Sequence, residues 1–523
     1  MITSPTFTPS KYQSDIFRAV QSGQKAIVVA AVPGSGKTTT IQQLVRYIPA
    51  SATVLMVAFN VDAAKQLQFK IDDLLRDLHE EGLTTPLVEC RTIHSLGNGT
   101  LAQAGIKGRV TAYKYSKIAR EYLRSWNIYD QPTENSLSDL LDKARLTLSS
   151  MNANSLVGLL DRFEIDIDER YLDRCLKAVP ELLRAGIEQA RQGVIDFTDM
   201  IWLPSVLNLS PRKYSFVLVD EAQDLSPAQR ELVLKARKPN GAFVAVGDAN
   251  QAIYGFAGAS NKSIQEIIKA TNAITLPLSI CYRCPVSAVE LASSIYPGIE
   301  SAPGMPQGEI RTLADKDIPG EVRSGDLILC RTTAPLVSMC FELLRQGKRA
   351  TVRGRDLGKA LGAVVKHIQK FCRERNAPMN ILNLQECADE YLDAHIATLQ
   401  GGEHEMKRAN IIDKIDTLIC LFEHYKYAHA LSSLDAFTDY INDFFKEDKE
   451  AQIILSTGHR AKGLEYPRVF ILRSDKLPHP MAKTQEARIQ EYNLMYVLYT
   501  RVRYMSNVPG SGTLFLGISE ESR

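Results

Sequence analysis

The stretch "AVPGSGKTTT", Ala31 to Thr40, constrains this chain more than any other. It follows the apolar run Ala26 to Ala31 and opens into "TTTIQQLV", a pattern that predicts a buried strand, a tight glycine-rich loop and a helix. Gly34 and Gly36 let backbone N–H groups turn inward around phosphate. Lys37 reaches the β/γ oxygens, Thr38 offers a hydroxyl to Mg2+, and the helix N-terminus favours negative charge. Ala31, Val32, Pro33, Ser35 and Thr39 complete the expected nucleotide-contacting set, with Ala31 standing where the general pattern has Gly. A surface glycine turn is the competing explanation, and the apolar strand in front of it makes that a poor one.

A phosphate loop of this kind needs an acidic strand end. "YSFVLVDEAQD" supplies it: Phe216 to Val219 read as a buried strand, with Asp220 and Glu221 at its C-terminal end. Asp220 is the expected second Mg2+ contact, and Glu221 the group that orients and deprotonates an attacking water. The expected cofactors are therefore a nucleoside triphosphate and Mg2+.

Bulk properties narrow the rest. A chain of 523 residues is long enough for two to four domains. No apolar run is long enough to span a bilayer, and the N-terminus lacks a secretory pattern, so the expectation is a cytoplasmic protein without a membrane partner. The nine cysteines are scattered; Cys281 and Cys284 form the only close pair, without a second pair to complete a zinc site. The formal net charge of +2 neither supports nor excludes nucleic acid, because a local basic track matters more than the total.

The words downstream form an ordered series. "DEAQDLSP" is followed by "VGDANQAIYGFAGA", then "LPLSICYRCPVSAVELA", "DLILCRTTAPLVSMC", "ILSTGHRAKGLEYPRVFIL" and "EYNLMYVLYTRVR". Together with "SKYQSDIF", "VAFNVDAAKQL", "CRTIHSLG" and "VIDFTDMI", this series resembles superfamily 1A DNA helicases of the UvrD/Rep type from Gln13 to Arg501. The resemblance implies an adenine contact for Gln13, a γ-phosphate sensor in Gln251, adenine stacking by Tyr282, a ribose contact for Glu465, and arginine fingers in Arg283 and Arg501. It implies DNA contacts by Phe59, Asn60, Thr92, His94, Tyr254, Phe256, Arg331, Thr457 and His459. Tyr254 and Phe256 are the aromatics on which bases would stack. Thr333 departs from the usual Asn, and Val502 from the usual Ala.

The implied architecture is α/β: two RecA-like P-loop NTPase lobes with parallel sheets, each interrupted by a mainly helical insertion. The expected first lobe comprises residues 1–100 and 193–269, with an insertion at 101–192. The second comprises 270–355 and 451–523, with an insertion at 356–450. Nucleotide would lie between the lobes and DNA across both. In the first insertion, Lys107, Arg109, Lys114, Lys117 and Arg120 are candidates for tracking phosphates, against a solvated helix face. The second insertion leans acidic and lacks a Gly-Ile-Gly-type hairpin for gripping duplex.

The implied activity is ATP-driven 3′-to-5′ movement on single-stranded DNA with unwinding at duplex junctions, by a chain expected to be monomeric. Repair, recombination or replication is the family expectation. A translocase that strips proteins and unwinds poorly, an ATP-gated DNA clamp and an RNA helicase are the alternatives.

Overall fold

The computed structural model describes residues 7–519, apart from 164, 254–257, 259–261, 400, 402–403, 429–432, 447 and 449. It divides into two units, Met1–Ile280 and Cys281–Arg523.

The first unit is built on a six-stranded sheet of β1 (Ala26–Ala31), β2 (Thr53–Ala58), β3 (Leu87–Thr92), β6 (Tyr214–Val219), β7 (Arg237–Gly247) and β8 (Ile274–Leu278). The strands lie in the order β3-β2-β6-β7-β1-β8, and every adjacent pair is parallel. The near-continuous apolar runs of β1, β2 and β6 follow from burial on both faces. One face packs against α1 (Lys11–Gln21), α2 (Lys37–Leu44) and α3 (Val61–Glu80), through residues such as Ile16, Ile41 and Ile71. The other packs against α4 (Ile93–Gln103), α10 (Pro227–Lys235) and α11 (Ser263–Thr271), through Leu96, Leu232 and Ile267.

Between β3 and β6 the chain forms α5 (Lys114–Ser125), α6 (Gln131–Leu146), α7 (Ala153–Phe163) and α8 (Glu169–Arg191), followed by α9 (Phe197–Val206). A two-residue pair of parallel strands, β4 (Arg109–Val110) and β5 (Val194–Ile195), closes this excursion at its base. These helices share a core of their own around Leu137, Leu141, Leu156 and Leu182.

The second unit carries another parallel six-stranded sheet, of β11 (Glu309–Ala314), β12 (Leu327–Cys330), β13 (Ala350–Val352), β14 (Ile453–Thr457), β15 (Arg468–Ile471) and β16 (Thr513–Ile518). Its order is β11-β16-β15-β12-β14-β13. A short pair, β9 (Ile280–Cys281) and β10 (Glu300–Ser301), flanks α12 (Val286–Ile295), and α13 (Ile318–Glu321) precedes β12. The remaining helices are α14 (Ala334–Arg345), α15 (Arg355–Glu374), α16 (Leu384–Thr398), α17 (Glu405–Ala428), α18 (Leu434–Phe444) and α19 (Gln485–Tyr499). Unlike α5–α8, helices α15–α18 continue the core of their sheet, since Val365, Leu418 and Phe437 belong to the same cluster as Ile328 and Phe470. Asp413 of α17 reinforces this by accepting N–H bonds from Thr333 (2.9 Å) and Ala334 (3.0 Å) at the start of α14.

The sequence-based division at 269/270 needs correction. Residues Ile274–Leu278 form β8, which pairs with β1 in the first sheet, and the units divide after Ile280. Among the described residues, no helix is long and apolar enough to cross a membrane.

Candidate nucleotide and nucleic-acid sites

Strands β1, β7 and β6 are neighbours, so the loops leaving their carboxyl ends share one edge of the first sheet, where parallel α/β sheets bind ligands. After β1 the chain turns through Val32–Gly36. Val32 N–H donates to Leu278 O of β8 at 3.1 Å, and Ser35 returns both its N–H (3.3 Å) and its hydroxyl (2.8 Å) to Val32 O. Gly34 (φ 67°) and Gly36 (φ 79°) hold left-handed backbone that a side chain would strain. Gly36 is the N-cap of α2 and provides no side-chain cap, so the first N–H groups of this helix suit an anion.

The acidic strand end lies against this loop. Thr38 Oγ1 donates to Asp220 Oδ2 at 2.7 Å, and Lys37 Nζ is 3.5 Å from Glu221 Oε1. Burial, and then the neighbouring Glu221 charge, push the Asp220 carboxyl up to about 6, against the pull of Thr38 and Lys37. Glu221 sits at φ 52° and ψ 43°, costly backbone for a residue with a Cβ, and its neighbours hold it there. Its own N–H donates to Asp220 Oδ1 at 2.9 Å, and Gln223 Nε2 donates to its Oε2 at 2.5 Å.

Gln223 also bridges to the third loop. Its Oε1 accepts the Asp248 N–H at 3.0 Å, and Asp248 Oδ2 in turn accepts from Gln251 Nε2 at 2.8 Å. A Cβ on Gly247 would stand 2.5 Å from Gln223 Oε1, so the bridge requires glycine there. Burial raises the Asp248 carboxyl above its usual range, with Lys37 and Gln251 opposing. Gln223 was not among the sequence candidates, although it lies inside "DEAQD".

Gln13 reaches the same loop from α1. Its Oε1 accepts the Ser10 N–H (2.9 Å) in a capping box, and its Nε2 donates to Thr40 Oγ1 (3.0 Å). Thr40, another residue the sequence reading did not select as a contact, donates its hydroxyl to Gly36 O at 2.9 Å.

The DNA-contact candidates of the first unit stand at helix starts. Asn60 caps α3 by accepting from Ala63 N (2.7 Å), and Thr92 caps α4 by accepting from Ser95 N (3.1 Å). Phe59 is half-exposed at the end of β2. The half-buried His94 ring meets the exposed Phe197 ring edge-on at 6.2 Å, and burial lowers its pKa. Tyr254 and Phe256 lie outside the described residues.

One basic candidate is corrected. Lys114 is not on a phosphate-tracking face: it is buried, donating to Asp199 Oδ2 (2.5 Å) and Gly186 O (2.7 Å). Arg145, also buried, donates to Asp196 (2.8 Å) and Asp199 (3.1 Å) and stacks on the Tyr115 ring at 3.6 Å. This network ties α5 and α6 to the start of α9. Arg120 bonds Glu134 at 3.0 Å, while Lys107, Arg109 and Lys117 are exposed.

In the second unit, Arg283 pairs with Glu465 and donates to Thr500 O at 3.3 Å, which joins three of the sequence motifs. Tyr282 beside it is 49% exposed, an available ring face. Arg501 is buried, donating to Val497 O (2.9 Å) and Leu464 O (3.4 Å). Cys281 and Cys284 are both buried, Cys284 N–H donating to Cys281 Sγ at 3.4 Å. Arg331 is committed to Glu491, its Nε donating at 2.7 Å, and Glu491 also accepts the His479 N–H at 3.1 Å. Thr457 ends β14, buried; His459 follows, its pKa pushed down to about 3 by burial and by Arg331 and Arg460. Glu491 and Asp413 had no sequence signal, because their partners lie far along the chain.

A glycine loop between a buried strand and a helix, closed against two carboxylates at the end of a second strand of the same sheet, defines a P-loop NTPase. Residues 13–272 match the UvrD/REP helicase N-terminal domain family. Along 93% of its length the chain is 22% identical to a probable DNA helicase II homolog of Mycoplasma pneumoniae, covering 82% of that protein. It is 21% identical to the ATP-dependent DNA helicase PcrA of Staphylococcus aureus, over 92% of this chain and 81% of that one. DNA helicase IV of Escherichia coli is 27% identical over 46% of this chain and 40% of its own. The chain belongs to the UvrD/Rep-type superfamily 1 helicases.

Proposed function

We propose that this protein is an ATP-dependent motor that moves 3′ to 5′ on single-stranded DNA and unwinds duplex at junctions. The observation that carries the reading is the closure of Lys37 and Thr38 onto Glu221 and Asp220, within a chain that matches the helicase family. The names of the relatives, DNA helicase II homolog, PcrA and DNA helicase IV, support DNA as the track.

Lys37 binds the β/γ oxygens, and the backbone N–H groups at the start of α2 orient them. Thr38 and Asp220 fit a hard divalent cation: two oxygens 2.7 Å apart, of the kind Mg2+ takes, with water and phosphate completing its shell. Mg2+ held there would neutralise charge on the phosphate oxygens. Glu221, fixed by Gln223, accepts the proton of the attacking water. Gln251, tied to Asp248, is the proposed γ-phosphate sensor. Arg283 and Arg501 are the proposed cations for charge on the transferred phosphoryl group, and Tyr282 and Glu465 the proposed base and ribose contacts.

On the DNA side, Phe59 and the His94–Phe197 pair are the aromatic surfaces best suited to stacking, with Phe256 retained from the sequence motif. Thr457 and His459 are the proposed contacts of the second unit. Partial duplexes with 3′ or 5′ single-stranded tails test the polarity: unwinding confined to the 3′-tailed substrate supports it, and unwinding confined to the 5′-tailed substrate overturns it.

A further inference from the structure

Cys281 and Cys284 take no part in the mechanism above, yet the fold arranges them as a working pair. Both side chains are buried and both thiols are free. Among the described residues they do not join a third His, Cys, Asp or Glu in a metal-holding group. Cys281 is the last residue of β9, and the bend that follows brings the Cys284 N–H to Cys281 Sγ at 3.4 Å. The Cys284 thiol is within hydrogen-bonding reach of the same sulfur and of Thr500 O, the latter at 3.6 Å. Donors therefore converge on Cys281. The Cys284 thiol, then the backbone N–H groups of Cys284 and Arg283 and the Arg283 charge, pull its pKa below the ordinary thiol range against the opposing effect of burial. At Cys284 the sense reverses: its bond to Cys281 and its burial keep the proton on. Burial likewise raises Cys90, Cys175, Cys330 and Cys340.

A thiolate held against a thiol is a nucleophile beside its resolving partner. Burial of both sulfurs restricts the co-reactant to a small oxidant, and hydrogen peroxide is one. The Cys281 thiolate attacks a peroxide oxygen; the O–O bond breaks, hydroxide leaves, and Cys281 becomes a sulfenic acid. Cys284 then attacks the Cys281 sulfur. An S–S bond forms, the S–O bond breaks, and the Cys284 proton leaves with the departing hydroxide as water. Overall the two thiols are oxidised to one disulfide, and one peroxide is reduced to two waters.

We propose that Cys281 is a modification site for hydrogen peroxide, that Cys284 resolves it to a disulfide, and that this bond lowers ATP turnover through the two residues it encloses. Those residues are Tyr282 and Arg283. The Cys284 sulfur now bonds Thr500 O, the same carbonyl that accepts from Arg283 Nη1 at 3.3 Å. Cross-linking draws that sulfur to Cys281 and fixes the bend, so Tyr282 and Arg283 lose the freedom to adjust to a nucleotide. The effect on turnover rests on the reading of Tyr282 and Arg283 as nucleotide contacts; formation of the disulfide does not.

The test treats the full chain with hydrogen peroxide, blocks the remaining thiols by alkylation, and follows ATPase beside a tryptic digest. Trypsin cuts after Arg283, between the two cysteines, so the reduced protein yields Ala270–Arg283 and Cys284–Arg311 as separate peptides. The oxidised protein should yield them linked, with a loss of ATPase that tracks the linked fraction and is restored by dithiothreitol. Cys281→Ser should keep its ATPase under the same treatment, and Cys281→Ala carries the same prediction if the serine variant fails to fold. Cys284→Ser should retain the sulfenic acid on Cys281, where dimedone labels it. No linked peptide, or an equal loss of ATPase in the Cys281 variant, which would assign the effect to another of the nine cysteines, overturns the inference. A linked peptide with undiminished ATPase overturns it too, and Arg283→Ala then separates the layers. If that variant keeps its turnover, the reading of Arg283 has failed as well; if it loses turnover, only the inference has.

Discussion

Thr38 Oγ1 and Asp220 Oδ2 lie 2.7 Å apart, so one hydrogen bond closes the first turn of α2 onto the end of β6. Lys37 and Glu221, each the chain neighbour of one of these residues, make the second closure at 3.5 Å. Removing either side has a distinct expected outcome. Glu221→Gln should bind ATP near wild-type affinity and lose about 10²–10⁴-fold in turnover, the contribution of a positioned base. Lys37→Ala should weaken nucleotide binding as well. Equilibrium nucleotide binding beside steady-state ATPase separates the two; a Glu221→Gln enzyme that turns over normally contradicts the assigned base.

Gln223 is the joint between the second and third loops of the site. Gln223→Leu leaves the Asp248 N–H unpaired in a buried position, which should cost about 1–3 kcal/mol of stability in a urea titration. Because Glu221 also loses its donor, kcat should fall further than KM for ATP rises. A variant of wild-type kcat would mean that Glu221 is held by other contacts.

Lys114 tests the corrected reading of the first helical insertion. Lys114→Met leaves Asp199 buried with Arg145 as its remaining cationic partner, and should destabilise the fold by about 3–5 kcal/mol. Lys117→Ala, on the exposed side of the same helix, should stay within about 0.5 kcal/mol of wild type. Chemical denaturation of both variants decides it: equal small effects would return Lys114 to the surface.

These cases mark where sequence was informative. The phosphate loop was legible because its chemistry is local: strand, glycines, Lys37 and Thr38 are contiguous, and backbone geometry follows from them. Lys114 was misread for the opposite reason. Its helix shows basic residues at intervals that look solvated, and its burial depends on Asp199, which only the fold brings near. The division between units slipped similarly, since nothing in "AITLPL" reveals that it pairs with β1. Arg331 stood in a motif whose resemblance implied a DNA contact, yet Glu491, far along the chain, holds it.

His459 gives a pH signature. Its pKa, pushed from 6.5 down to about 3, lies below the unfolded value, so folding excludes its proton. The stabilising contribution is complete above about pH 6.5 and is lost as pH falls toward 3. His459→Gln removes that dependence. The stability difference between wild type and His459→Gln, followed by denaturation across this range, should shift against wild type as pH falls; a constant difference would contradict the neutral, half-buried imidazole.

The central claim is that the nucleotide site drives movement on DNA, and ATPase rate with and without single-stranded DNA tests it most directly. The account predicts strong stimulation by the single strand, abolished in Glu221→Gln. An ATPase rate indifferent to single-stranded DNA would contradict it.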